Sequence, residues 1–265
     1  MPETVIAWIA YWVSERLRDA SQWPVTLIRD LPARLFRLGQ TLWRGVRGII
    51  TFLPEGWQAH RENNLSPWLR FKTGRLADWW HQFLVQLFDL GGGPELSQFI
   101  WRLGVKTTPL TGAEISAITA VLGPHALRFG EVRIAQGGLL TLIFKLNGNL
   151  AFATWHTINI PQNGRHTRTN LPVLIHELTH VYQYERVGSR YLGEAIYMLI
   201  KTKRDCYNYG GTDGLRAACG AGLRYCDFNR EQQAKITQDY FTLQQKGSDV
   251  TAYEPLIAQA RQGIL

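Results

Sequence analysis

The sequence has no apolar run long enough for a membrane span at its start. The stretch 5–13 is nine residues, too short to cross a bilayer, and Glu3 precedes it with no basic residue ahead, so it does not read as a secretory signal. The chain is therefore expected in the cytoplasm, or exported by a dedicated secretion machine. Cysteine is scarce: Cys206, Cys219 and Cys226 all fall in one loop-like segment, and their spacing forms no CxxC pair of the zinc-cluster kind. One disulfide with a free thiol, or three reduced thiols, remain open. Acids are outnumbered by bases, 21 to 29, but Lys and Arg are scattered among the acids and no nucleic-acid fingerprint occurs. A solvated basic surface is expected, with no nucleic-acid partner.

Tryptophan is unevenly spread. Nine of the ten lie at or before Trp101, together with many arginines, which sets the first part of the chain apart from the rest. Segments 5–17, 24–36, 42–52 and 76–90 carry apolar residues at helical spacing, with Pro24, Pro32, Pro54 and Pro67 between them, so several short amphipathic helices are expected. Trp with Arg suits a helix lying at a membrane interface or docking to a secretion apparatus. Packing of this region against the second domain is the plainer expectation. Gly91-Gly92-Gly93-Pro94 is the clearest breaker and places a boundary between a helical region 1–93 and a domain 94–265.

The second region reads as α+β. Helices are expected over 97–104, over 112–122 with Thr111 or Thr108 at its start, and over 191–203. Strands are expected over 131–135, 139–146, 150–155 and 157–161, forming a small antiparallel sheet whose edge could pair with an extended peptide. Segment 204–226, rich in glycine, reads as irregular.

The informative stretch is 171–187, LPVLIHELTHVYQYERV. Asn170 is suited to cap a helix there, Pro172 is tolerated in its first turn and Gly188 stops it. At about 100° and 1.5 Å per residue, His176 and His180 lie about 40° apart and one turn along, so both imidazoles reach one ion. Glu177 sits beside them, placed to act as a base without being a ligand, as in HExxH zinc peptidases. Zinc in such a site lowers the pKa of its water to about 7.

A hydrolytic zinc takes three protein ligands and keeps one position open. Asn229 is suited to cap a helix running to about Gln244, with Glu231 in its first turn and the small Ala234 one turn on, which makes Glu231 the preferred third ligand. Asp227, Glu194, Asp205 and His156 compete. Asp239 is a possible outer partner for a ligand histidine, and Tyr182, Tyr184, Tyr191 and Tyr240 are candidates for steadying an oxyanion. His166, in the loop before the motif, is expected at the surface, and Glu185 and Arg186 as solvated charge.

TPLTGAEI from Thr108, the strand Val132-Arg133-Ile134, HELTHVYQYERVG and FNREQQAKITQDYF from Phe228 together resemble bacterial zincin-like proteins of the Vgr-related and contractile-injection-system kind. The resemblance covers about 107–243. It implies a gluzincin-type site in which His176, His180 and Glu231 hold zinc and Glu177 is the base, with a link to a secretion machine as effector or accessory. The long cysteine-bearing excursion and the Trp-rich start depart from that pattern. The expectation is a zinc metallopeptidase acting on a peptide or protein. Its rival is a non-enzymatic delivery module with a structural metal and a docking N-terminal region.

Overall fold

A single helix, α1 (Pro2–Arg61), opens the chain in this computed structural model, which describes residues 2–265, with side-chain surroundings from Ile6 onward. Several short helices were expected here. Pro24, Pro32 and Pro54 instead lie inside one helix. Each interior proline removes one ladder hydrogen bond and crowds the preceding turn, a cost of about 3 kcal/mol, but no glycine or asparagine stands next to any of the three to turn the chain. After the turn at Asn63, whose φ is 53°, comes α2 (Leu65–Leu90), followed by α3 (Gly93–Leu103).

The chain divides into two units, residues 20–96 and residues 1–19 with 97–265. The first nineteen residues thus group with the C-terminal part, not with the Trp-rich segment that the sequence boundary at 93/94 assigned them to.

In the 20–96 unit, α1 and α2 pack through close backbone approach. A Cβ at Gly45 would stand 2.7 Å from the Trp79 indole, whose Nε1 donates to the Thr41 carbonyl at 2.7 Å. Trp68 packs on Phe52 with ring centres 5.0 Å apart, and the buried Arg34 pairs with Glu95. Trp68 and Trp79 are therefore interhelical packing residues.

The other unit is α+β. Its four strands are β1 (Lys106–Pro109), β2 (Arg133–Gln136), β3 (Phe152–Thr154) and β4 (Thr157–Asn159), in the order β1-β2-β4-β3. The sheet is mixed, since β2 and β4 run parallel while β1 and β3 are antiparallel to their neighbours. An all-antiparallel sheet was expected; the difference traces to 139–146, which was read as a strand and is the helix α5 (Leu140–Leu146). Leu140 and Phe144 are buried at i and i+4 while Leu142 and Leu146 are exposed, the helical period of burial. With apolar residues at nearly every position, that segment carries no period to read.

Thr111 and Glu114 form a capping box at the start of α4 (Gly112–Leu122). Next come α6 (Leu171–Val187) and α7 (Arg190–Thr202), then an excursion made of two short 3₁₀ turns and α8 (Gly211–Gly220), a helix where none was expected. The chain ends with α9 (Arg230–Gln245) and α10 (Glu254–Arg261). Cys206, Cys219 and Cys226 are free thiols. Residues from α4, α6, α9, α10 and the sheet share one core, with Ile118, Ile134, Ile158, Leu178, Ile236 and Ile257 fully buried. Residues 6–19 join this unit by polar contacts: Glu15 with Arg133 at 2.7 Å, Asp19 with Arg102 at 2.8 Å, and the Tyr11 hydroxyl donating to the Thr107 carbonyl at 3.0 Å. Among the described residues no helix is long and apolar enough to cross a membrane.

Candidate metal centre

Helix α6 is buried on all sides from Val173 to Tyr184, so its polar residues exist in the interior and must be partnered there. Asn170 caps it by accepting from the Val173 N–H, and Gly188 ends it with φ 72°. Helix α9 packs across it, and the fully buried Ala234 leaves room for that approach. Asn229 caps α9 at Gln232, with Glu231 in the first turn.

His176, His180 and Glu231 meet between these helices. The two Nε2 atoms are 3.2 Å apart, and the Glu231 Oε2 is 3.3 Å from His176 and 3.4 Å from His180. Bonds of about 2.0–2.1 Å would set tetrahedral zinc donors about 3.3–3.4 Å apart, so this nearly equilateral triangle has the edge such an ion requires. Two imidazole nitrogens facing each other at that separation, with a carboxylate as the third corner, also have the electronic character of a cation site. These are the three buried residues that could hold a metal ion among the described residues.

The other nominated ligands lie elsewhere. Glu194 pairs with Arg190 and with Arg230, and Asp227 turns back to the Arg224 backbone N–H at 2.8 Å. Asp205 is exposed in a 3₁₀ turn. His156 bonds Glu185 at 2.9 Å, which also removes Glu185 from the solvated charges it was placed among.

No family model, curated protein or solved structure matches this chain. The case for function therefore rests on the site's own geometry.

Gln183, which sequence reasoning passed over, fixes His180. Its Nε2 donates to the Arg230 carbonyl at 2.9 Å and to the Gln233 Oε1 at 3.1 Å, so its oxygen faces His180 and accepts from Nδ1 at 2.8 Å. The proton is thereby held on Nδ1, and Nε2 is left as the lone-pair donor toward the triangle. The clue was its i+3 spacing from His180 on a helix. Asp239, nominated for this outer role, instead bonds Tyr209 and Lys235. Gln183→Ala is expected to weaken metal binding 10- to 100-fold while the chain stays folded, which competition with a chromogenic chelator measures.

Charges in the metal-free site are strongly shifted. Burial alone would pull His180 down, but the Glu231 carboxylate outweighs it and its pKa is pushed up to about 9. Burial likewise opposes ionisation of Glu231, and His180 and His176 overcome it, holding that carboxyl well below the usual range. The raised His180 pKa stabilises the metal-free fold fully below the ordinary histidine value of 6.5, and this contribution is lost as pH rises through about 9. Metal must displace that proton. Affinity is expected to rise about tenfold per pH unit between neutrality and about 9, then level off, and titration calorimetry in buffers of different ionisation heat should show one proton released at pH 7.

Glu177 is 4% exposed, its Oε2 has no hydrogen-bond partner, and its other contact is with the Ala153 backbone N–H. Burial pushes its pKa up. Of the four nominated tyrosines, Tyr182 donates to the Ala260 carbonyl and Tyr240 is in the core, while Tyr184 packs on His156. Tyr191 stacks 6.2 Å from His180 and accepts from the Trp155 N–H while donating to the Ala153 carbonyl. The outward Ala153 carbonyl and N–H of β3 are thus engaged by Tyr191 and Glu177, so an extended peptide pairs at this edge only by displacing both. Half-buried Tyr207, unsuspected from sequence, lies with its ring 5.9 Å from His176, and burial followed by the nearby Glu231 pushes its hydroxyl up. His166 is not a plain surface residue: it is half-buried, its Nδ1 has no partner, and burial followed by His176 pulls its pKa down.

Proposed function

We propose that the chain is a zincin-type metallopeptidase, in which His176, His180 and Glu231 hold zinc and Glu177 is the general base. The observation that carries this reading is Glu177 itself. A closed structural metal site has no use for a second carboxylate that is not a ligand, and burying a carboxylate with one oxygen unpartnered costs several kcal/mol. Such a cost is understandable where the oxygen must stay free to take a proton, and burial raises its basicity toward that task.

Zinc, when bound, supplies Lewis acidity toward a carbonyl oxygen and makes water acidic enough to ionise near neutrality. The chain's own residues do the rest. Gln183 keeps His180 in the tautomer that offers Nε2. Glu177 accepts the proton of the attacking water at Oε2 and returns it to the leaving amine. Tyr207 and His166 flank His176 and are placed to touch a bound substrate. The sequence resemblance also supports a place beside a bacterial secretion machine, as effector or accessory. The test is cleavage of a mixed peptide pool, followed by mass spectrometry, with the zinc-loaded chain beside its Glu177→Gln variant. New termini appearing equally with both would remove the mechanism.

A further inference from the structure

Gln183 holds His180 with a neutral amide, and an amide does so only when it is the right way round. A carboxylate in its place would accept from Nδ1 whichever way it turned, whereas a glutamine presents either an acceptor or a donor. Two groups set the choice. The Gln183 Nε2 donates to the Arg230 carbonyl at 2.9 Å and to the Gln233 Oε1 at 3.1 Å. The first acceptor is a backbone oxygen and has no alternative. The second is itself one end of an amide, so whatever orients Gln233 bears on His180.

Gln233, on α9, is 1% exposed and has its full complement of partners. Its Nε2 donates to the carbonyls of Tyr225 at 3.0 Å and Phe228 at 3.1 Å. Its Oε1 accepts from Gln183 and from the Arg230 Nη1, both at 3.1 Å. Turned over, the amide would set its nitrogen against two donors and its oxygen against two carbonyls, and every one of these contacts would be repulsive. Arg230 is steadied in turn by Glu194 of α7, whose Oε2 accepts from its Nε at 2.7 Å. The two carbonyls belong to the last 3₁₀ turn of the excursion, Tyr225–Asp227, and to the residue that follows it. Tyr225 is fully buried, its N–H donating to the Gln259 Oε1 at 2.8 Å and its hydroxyl to the Gln233 carbonyl at 2.9 Å.

A line of hydrogen bonds therefore runs from two backbone carbonyls at the end of the excursion, through two amides that each fit one way round, to the His180 Nδ1 at 2.8 Å. We propose that Gln233 is a positioning residue for the metal centre: it carries the direction set by the Tyr225 and Phe228 carbonyls through Gln183, so that His180 offers Nε2 to a metal while the end of the excursion is docked. This rests on the metal-binding part of the function proposed above and on none of the Glu177 chemistry.

The experiment is a double-mutant cycle on the full chain, with zinc affinity read by chelator competition. Gln233→Met should weaken zinc binding about tenfold. In a Gln183→Ala background the same change should weaken it less than about twofold, because the path to His180 is already cut. A role in packing alone would cost as much in both backgrounds. Gln233→Asn, whose amide is one methylene too short to span both ends, takes its place should Gln233→Met not fold. A second readout needs no metal. At about pH 10, above the His180 pKa of about 9, nitrogen NMR of the histidine-labelled chain should show the ring proton on Nδ1 in the wild type, and shared between Nδ1 and Nε2 in the Gln233 variant. Unchanged zinc affinity in the Gln233 variant, full additivity with Gln183→Ala, or the same proton position in both chains would each overturn the proposal. A wild type that binds no zinc would overturn the metal reading, and the proton position would still decide the role of Gln233.

Discussion

Replacing Glu231 by alanine is expected to lower zinc affinity by about two to three orders of magnitude, with His180→Ala doing the same. Binding energies of about 10–16 kcal/mol for four-ligand structural sites correspond to about 2.5–4 kcal/mol per ligand, and removing one corner of the triangle forfeits that share. Purified wild type should carry about one zinc per chain, and both variants close to none after dialysis, by elemental analysis. Asp227→Ala and Glu194→Ala should retain the metal, because those carboxylates are committed to the Arg224 backbone and to Arg190 and Arg230. Zinc retained in Glu231→Ala would show that the third corner of the site has been misplaced. No metal in the wild type at neutral pH, where His180 holds its proton, calls for repetition at higher pH before the site is abandoned.

The second large effect is expected from Glu177→Gln. Turnover should fall by about 10²–10⁴, the usual contribution of a positioned base, while zinc content stays that of the wild type. A separate readout checks the physical argument without a substrate. Burial raises the Glu177 pKa, so its ionised form destabilises the metal-free fold at neutral pH; the neutral amide should therefore raise the melting temperature of the metal-free chain. A lower melting temperature with unchanged turnover would mark Glu177 as an ordinary structural carboxylate.

The parts of this molecule that were legible in its sequence are those where local chemistry and burial agree. Helix α6 runs over the residues that its cap Asn170, early Pro172 and terminal Gly188 delimit, and α9 begins where Asn229 caps it. The partnership of two histidines one turn apart follows from helical geometry alone. What stayed hidden depends on tertiary packing. Nothing local marks 140–146 as a helix, because its apolar residues fit either period until Leu140 and Phe144 find the core. Prolines suggested breaks in α1, yet with no turn residue beside them the chain carries on through. The glycine content of 211–220 disfavours helix by about 1 kcal/mol per residue, and the buried Leu215 helps to hold it nonetheless. Tyr207 and Gln183 escaped for different reasons. One sits in a segment without periodicity, and the other looks like any polar residue until its amide meets His180 and the start of α9.

The excursion between α7 and α9 has a consequence for how the chain closes on itself. His176 and Glu231 are 55 residues apart in sequence, and the Cys206 carbonyl, midway along, accepts from the Asn229 side chain that starts α9. An ion shared by these helices would act as a clip on that long loop, worth about 3–4 kcal/mol in closure entropy alone. The metal would then govern the lifetime of the folded excursion as well as the chemistry. Metal starvation would leave this segment as the first stretch of the C-terminal unit to open to a protease, so that the empty protein is cleared while the loaded one survives.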